Sequence, residues 1–174
     1  MREIHPLLDV PSVSVYKLAL MNSESSFFQL RSFFEKPVCQ KAAEPLKDGA
    51  ELAIQVGNEA PFSLFKQRGQ LTFLPTAPTS PDMTFVLGGE IPNLLNQLNS
   101  NEIAEMGISI FNWMLEKDNN KRISARVHTD SFSILRKGYL GVLAQGGLPV
   151  MQYLATKGLG NLGKLKSALA KMRR

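Results

Sequence analysis

The sequence predicts an α+β fold, in which one five-stranded, antiparallel-dominated sheet carries helices packed on one face. Two observations lead to this class. Five short segments alternate apolar with polar residues, which is the pattern of strands that bury one side only. Other segments repeat apolar residues every three or four positions, which is the pattern of amphipathic helices. At 174 residues the chain suits one such domain with an appendage.

The first predicted element is a helix over residues 23–37, where phenylalanine and leucine follow helical spacing. Ser23 or Ser25 would cap its start. Pro37 is expected to end it, because proline cannot continue a helix. Residues 37–49 are then predicted to form a polar connector that leads to the first strand.

Five strands are predicted after this connector. Each places its apolar side chains on one face, so only one side of the sheet should be covered. Short turns join the first four strands, and short turns favour antiparallel neighbours. We expect the fifth strand to pair beside the first strand rather than beside the fourth. The predicted strands are 51–57, 62–69, 70–74, 83–87 and 121–128.

Helices are predicted around the fifth strand. The helix at 102–117 carries more apolar surface than one core-facing stripe needs, which indicates deep burial, a lipid pocket or a partner surface. A fully packed core without a cavity is the competing interpretation of the same residues. The other predicted helices are 88–101, 130–145, 148–159 and 161–174.

Composition narrows the classes of function only a little. The net charge of +5 and the pI of about 9.4 permit nucleic acid, an anionic membrane or an acidic partner, and they select none of these. The lone Cys39 excludes an internal disulfide and a cysteine-based metal cluster. No uncharged apolar run is long enough to span a membrane. We therefore expect a cytoplasmic protein.

Few residues in the sequence suggest catalysis. His128 lies two residues before Asp130 at the end of a predicted strand, but one histidine and one carboxylate make an incomplete metal site. A histidine in that position is more often simply solvated. No nucleophile elbow, Walker loop or dinucleotide fingerprint occurs. We predict no catalytic residue, no metal and no cofactor, and hence a protein that is not an enzyme.

Residues 50–100 resemble the sterol carrier protein type two domain. The similar features are a glycine, a Leu-Pro pair, a short loop, a D-x-T strand and a helix with paired leucines, in that order. The likeness resumes loosely at the fifth strand, whereas the long helix 102–117 departs from the family's short helix-to-strand step. The family's glycine-rich segment around the last strand is not clear either. The matching residues are Gly69, Leu74, Pro75, Asp82, Thr84, Leu94 and Leu95.

The resemblance implies a sterol-carrier-like domain over residues 46–174, preceded by an N-terminal helical segment, 1–45. That family folds as a five-stranded sheet with helices on one face, and it encloses an apolar tunnel. It binds sterols, fatty acyl chains or other lipids. Some bacterial relatives resemble accessory factors that hold isoprenoid quinone intermediates for biosynthetic enzymes. The partners implied here are an apolar lipid and a biosynthetic enzyme.

We expect the lipid to lie between the sheet and the helices over 102–117 and 130–157. These helices have the broadest apolar stripes and are therefore the ones that leave apolar surface uncovered. The residues predicted to contact the ligand are Phe85, Leu87, Phe111, Trp113, Met114, Leu135, Tyr139 and Leu143.

The last predicted helix is basic and amphipathic, which is typical of elements that visit a membrane surface or dock on a partner. A terminal helix that lies on the core with a solvated lysine face is the alternative. Nucleic acid is not expected, because no aromatic residues alternate with the basic ones. The residues predicted to contact an anionic membrane are Lys164, Lys166, Lys171, Arg173 and Arg174.

Three hypotheses about function follow. The first is noncatalytic binding or transfer of an apolar lipid of the sterol, fatty acyl or isoprenoid-quinone type. The second is a scaffold or accessory protein that binds another protein through its apolar helical surface. The third, an enzyme, ranks last because no set of polar residues converges in the sequence.

Overall fold

The structure, a computed structural model that describes residues 25–158, contains the five predicted strands in one sheet. The strands are β1 (Glu51–Val56), β2 (Phe62–Gln67), β3 (Gln70–Leu74), β4 (Met83–Leu87) and β5 (Ile123–Val127). Their order across the sheet is β3-β2-β1-β4-β5. Neighbouring strands are antiparallel except β1 and β4, which are parallel. The predicted α+β class with an antiparallel-dominated sheet is confirmed.

Short helices surround one longer helix in the same part of the chain. The longer one, α4, lies within the predicted range 102–117. The predicted helix 161–174 lies outside the described residues. In chain order the helices are α1 over residues 25–34, α2 (Pro37–Ala42), α3 (Ile91–Gln97), α4 (Ile103–Leu115), α5 (Ser131–Arg136), α6 (Tyr139–Gln145) and α7 (Gly147–Thr156).

The connector predicted at residues 37–49 is wrong in its first half, which is helical. Pro37 begins α2 and does not merely end the helix before it. Proline is well tolerated at the first position of a helix, because its missing N–H would have no partner there. Val38, Cys39 and Ala42 are buried, so this segment belongs to the core.

The single helix predicted at 130–145 is divided into α5 and α6. The break lies at Gly138, which has a φ of 86° and follows the last turn of α5. A Cβ at this position would collide with the carbonyl oxygen of Pro45. Glycine is therefore required both by the backbone conformation and by the close approach of the α2–β1 segment.

The predicted neighbour of β5 was also wrong. β5 pairs with β4, so that Leu87 faces Ile123 and Met83 faces Val127. It cannot pair with β1, because β2 and β4 already occupy the two edges of that strand. The predicted pairing relied on the strand order implied by the family resemblance, and alternation within a strand does not fix which strand lies beside it.

The proline-rich connector 75–82 allows β4 to reach the centre of the sheet. β3 and β4 run in the same direction, so the chain must return along the sheet and pass two strands. Strand spacing and rise put the two ends roughly 20 Å apart. Eight extended residues can span roughly 26–29 Å, and proline favours extended backbone. Asp82 N donates to Glu51 O, which fixes the end of the connector beside the start of β1.

One half of the core lies under α1. There Phe27 stacks on Phe73 with 5.4 Å between ring centroids, and Phe62 lies 5.6 Å from each of them. Each such aromatic pair contributes about 0.5–1.5 kcal/mol beyond the burial of its surface. The described part of the predicted segment 1–45 thus shares its core with the sheet. The other half of the sheet, at β4 and β5, is covered by α4, α6 and α7.

Candidate ligand-binding cavity

A cavity of about 490 Å³ lies between the sheet and the helices that cover β4 and β5. Its volume falls in the range of sites that hold drug-sized ligands. Apolar side chains from the sheet and from the helices form most of its walls. The apolar side chains on its wall include Leu52, Met83, Phe85 and Ala125 from the sheet, and Met106, Ile110, Phe111, Met114, Val142, Leu143, Val150 and Leu154 from the helices.

The floor of the cavity is the helical face of β1, β4 and β5. Leu52 and Met83 are neighbours in the parallel pair, and Phe85 faces Ala125 in the antiparallel pair. Alternation puts all four side chains on the same side of the sheet. Ala125 is small, so it leaves room above β5 that a larger residue would occupy.

The roof is formed by α4 and α7, which run side by side in the same direction. A Cβ on Gly107 would lie 3.4 Å from Val150 Cγ2, so the helices approach closely there. One turn further on, Tyr153 OH donates to Asn112 Oδ1 and joins the helices again. The roof is thereby held at two points.

One end of the cavity is closed by a buried polar cluster around Asp82. Lys137 Nζ donates to Asp82 Oδ1 at 2.7 Å, and Tyr139 OH donates to Asp82 Oδ2 at 2.8 Å. Glu51 N donates to the same Oδ2 at 3.1 Å. Burial and the hydrogen bond to Asp82 raise the pKa of Tyr139 well above its usual value. The tyrosine is neutral, with its ring on the cavity wall and its hydroxyl turned to the cluster.

The other end of the cavity is flanked by basic side chains. Arg122 precedes β5, and Lys157 follows the last turn of α7; both belong to the wall and both are exposed. Lys157 Nζ stands 5.4 Å from the ring centroid of Tyr153. Leu115, 54% exposed at the end of α4, lies at the same end. The cavity thus runs from a closed polar end to a partly open basic end.

Five of the eight side chains predicted to contact a ligand lie on this wall. α4 contributes two of them, α6 contributes two, and β4 contributes one. Their role as ligand contacts stays a prediction. The five residues are Phe85, Phe111, Met114, Tyr139 and Leu143.

The other three predicted contacts are not brought to the cavity. Leu87 is buried in the cluster that contains Ile91 of α3, and it does not line the cavity. Trp113 is half-buried and packs against that same cluster from α4. Leu135 lies on the outer side of α5 and is 43% exposed. Helical spacing predicted the helices that carry Trp113 and Leu135, but it did not predict the direction in which each side chain points.

Sequence reasoning included α7 in the range 130–157 but named none of its residues as ligand contacts, and it missed the α2–β1 segment. Val150 and Leu154 are spaced four apart on α7, which places both on one face of the helix. That spacing was available in the sequence as a signal. Ala42 and Leu46 carried no such signal, because their segment was interpreted as a polar connector. The predicted membrane contacts, Lys164 to Arg174, lie outside the described residues.

The other residues considered for chemistry are engaged in structural contacts. His128 Nε2 lies 2.8 Å from Thr84 Oγ1, on the face of the sheet away from the cavity. Asp130 caps α5, and its bonds to Ser133 and Phe132 lower the pKa of its carboxyl. Burial raises the pKa of the Cys39 thiol to about 12. Within residues 25–158, no three His, Cys, Asp or Glu side chains are grouped so that they could hold a metal ion.

Helix length also bears on membrane association. Between residues 25 and 158, none of the helices has the length and apolar character needed to cross a bilayer.

The fold and the cavity define the chain as an α+β protein with an apolar cavity between a sheet and its covering helices. No family model matches the chain, and no curated protein matches it. Among solved structures, one described as a "UbiJ-SCP2 Ubiquinone synthesis protein" is similar at 10% sequence identity, with a TM-score of 0.34. The match covers 74% of this chain and 98% of that one. At that TM-score the fold assignment rests on the sheet and helices described above.

Proposed function

We propose that this chain is a noncatalytic binding protein that holds one apolar lipid in the cavity between its sheet and helices. The observation that carries the proposal is the cavity itself, which measures about 490 Å³ and has predominantly apolar walls. Apolar cavities are poor sites for water and good sites for hydrocarbon, because water finds few hydrogen-bonding partners in them. Each methylene transferred from water into such a site contributes about 0.8 kcal/mol.

The proposed ligand contacts come from three elements. Phe85 supplies the floor, Phe111 and Met114 supply the roof, and Tyr139 and Leu143 supply the side. Methionine adapts to irregular apolar shapes, which suits a wall that must fit a flexible chain. Sterol, fatty acyl and isoprenoid-quinone ligands all meet this requirement. In the cell, the protein would carry such a lipid or present it to a biosynthetic enzyme.

The test is native mass spectrometry, with lipid extraction, on protein purified without detergent. The wild-type chain is expected to carry an apolar ligand, and delipidated protein should gain thermal stability when lipid is added. Saturation at a hundredfold excess over the dissociation constant adds about 2.7 kcal/mol to the free energy of unfolding.

A matched pair of variants locates the ligand. Ala125→Phe adds a ring on the cavity floor, and Gln55→Phe adds the same group on the opposite face of the sheet. Only Ala125→Phe should lose the bound lipid. If no lipid is found in the wild type and none raises its melting temperature, the proposal fails. If the two variants bind equal amounts of lipid, the lipid binds outside this cavity.

A second candidate, a scaffold that binds another protein, is supported by exposed apolar side chains on α5 and α7. Phe132 is 71% exposed and Leu148 is 68% exposed. Replacing both with serine should leave lipid binding intact if the cavity is the functional site. Loss of a co-purifying protein in that variant, together with an empty wild-type cavity, would favour the scaffold.

A further inference from the structure

Charge is unevenly distributed around the cavity. Among the described residues that form its wall, the charged ones are Arg122 and Lys157, and both are basic. A wall made for a wholly apolar ligand needs no charge of either sign. Binding of hydrocarbon alone therefore does not explain why two positive charges lie beside the apolar cavity.

The chain path brings both cations to the same end. Gly107 lies against Val150, and Asn112 accepts a hydrogen bond from Tyr153, so α4 and α7 run side by side in the same direction. Lys157 is one turn beyond Tyr153 and thus lies near the end of α4, at Leu115. The loop after α4 leads directly into β5, and Arg122 is the residue before that strand.

The acidic side chains in and near this loop make hydrogen bonds and an ion pair with other groups. Glu116 Oε1 accepts from the backbone N–H groups of Lys117 and Asp118, and Asp118 Oδ1 accepts from Asn120 N. Glu90 lies 3.8 Å from Lys121. Within residues 25–158, neither Arg122 nor Lys157 forms a salt bridge. Their positive charge is available to a ligand.

Among the described residues, the opposite end of the cavity offers no free cation to an anionic head group. The carboxylate of Asp82 stands behind Tyr139 there, and its nearest cation, Lys137, is already bound to it. Tyr139 presents its ring to the cavity, because its hydroxyl donates to Asp82. An amphiphile with a negative head group would thus enter in one orientation only, with its tail toward Met83 and Tyr139.

We propose that the ligand is a single-chain amphiphile with an anionic head group, either a carboxylate or a phosphate, that lies between Arg122 and Lys157. The proposal rests on the function proposed above and specifies its ligand class. Arg binds carboxylate and phosphate through paired N–H donors, and Lys adds a point charge. The cavity volume suits one chain rather than a bulky multi-chain lipid.

The experiment compares four probes that share one dodecyl chain and differ in the head group. They are dodecanoate, dodecyl phosphate, dodecanol and dodecyltrimethylammonium, each titrated into delipidated full-length protein by calorimetry. Either anion is expected to bind at least about tenfold more tightly than the alcohol, and the cation more weakly than the alcohol. The affinities for dodecanoate and for dodecyl phosphate show whether the site prefers a carboxylate or a phosphate.

Two double variants with the same change in net charge provide the control. R122Q with K157Q should remove the preference for the anions, and the variant should still bind dodecanol, which also shows that it is folded. K117Q with K121Q removes two neighbouring cations that are not on the wall, and it should keep the preference.

The outcomes separate this inference from the proposed function. If dodecanol binds the wild type as tightly as the anions do, or if R122Q with K157Q keeps the preference, the head-group assignment is overturned and lipid binding stands. If no probe binds, and no longer-chain lipid binds either, both proposals fail.

Discussion

Lys137 Nζ lies 2.7 Å from Asp82 Oδ1 and 2.9 Å from Asp82 Oδ2, an ion pair that ties the loop between α5 and α6 to the start of β4. The Asp82 side chain is 5% exposed and that of Lys137 is 25% exposed. Lys137 Nζ also donates to Gly49 O, so three separate segments meet at one ammonium group. The pair fixes the position of Tyr139 and with it one end of the cavity.

Asp82→Asn should lower the free energy of unfolding by about 3 kcal/mol, because it leaves Lys137 with a neutral partner in a largely dry site. Urea denaturation of the full chain measures the loss. Glu35→Gln is the matched control, since it breaks the exposed Arg31–Glu35 pair at 2.7 Å. That change should cost no more than about 0.5 kcal/mol. Similar losses in the two variants would contradict a structural role for the Asp82 cluster.

Stability should fall at alkaline pH because two buried groups keep their protons in the folded state. The pKa of Cys39 is raised from 9.0 to about 12, and that of Tyr139 is raised above its unfolded value of about 10. Well below pH 9 both states hold both protons, so these groups leave stability unchanged. Above that pH the unfolded chain releases protons that the folded chain retains, and the free energy of unfolding decreases.

Each group contributes at most about 1.4 kcal/mol per pH unit. Urea midpoints between pH 8 and pH 11 test the prediction. Cys39→Ala should reduce the slope from pH 9 upward, and Tyr139→Phe should reduce it from pH 10 upward. Slopes in both variants that match the wild-type slope would show that these groups do not cause the loss.

Gly138→Ala should destabilise the chain more than Gly158→Ala. Both glycines have positive φ, 86° and 79°, so each substitution incurs about 1 kcal/mol of backbone strain. Within residues 25–158, no atom lies within 4 Å of a Cβ placed on Gly158, whereas a Cβ on Gly138 would collide with Pro45 O. The difference between the melting temperatures of the two variants measures the destabilisation caused by the steric clash at Gly138. Equal decreases in melting temperature would show that the clash does not destabilise the chain.

The basic C-terminal segment should bind anionic bilayers in a salt-sensitive way. Each Lys or Arg near such a surface contributes about 1 kcal/mol, and salt screens this attraction. Co-sedimentation with vesicles that contain phosphatidylglycerol should therefore weaken when residues 158–174 are deleted or the salt concentration is raised. Binding that survives both changes would assign the membrane contact to another part of the chain.

The sequence predicted the strands well because alternation is a local property. β1 to β5 each lie within their predicted ranges. Strand order was not predictable in the same way, because it depends on how far the connector 75–82 travels. Nothing local distinguishes a hairpin turn from a crossover of similar length.

The cavity was only partly predictable for a related physical reason. Phe111 and Met114 were identified because α4 has excess apolar surface, but Trp113 on the same helix points into the packed core. Asp82 entered the sequence prediction only as part of the D-x-T motif. Its burial depends on Lys137, which lies 55 positions further along the chain.

The central position of β4 has a consequence for synthesis of the chain. β1, β2 and β3 can form a meander as soon as residue 74 has left the ribosome, but the second edge of β1 remains open until β4 arrives. An open edge with apolar residues such as Leu52 and Ile54 is a template for pairing between chains. A fragment that stops at residue 82 should therefore aggregate through β1, and translational pausing before residue 87 would prolong the period in which the nascent chain is vulnerable.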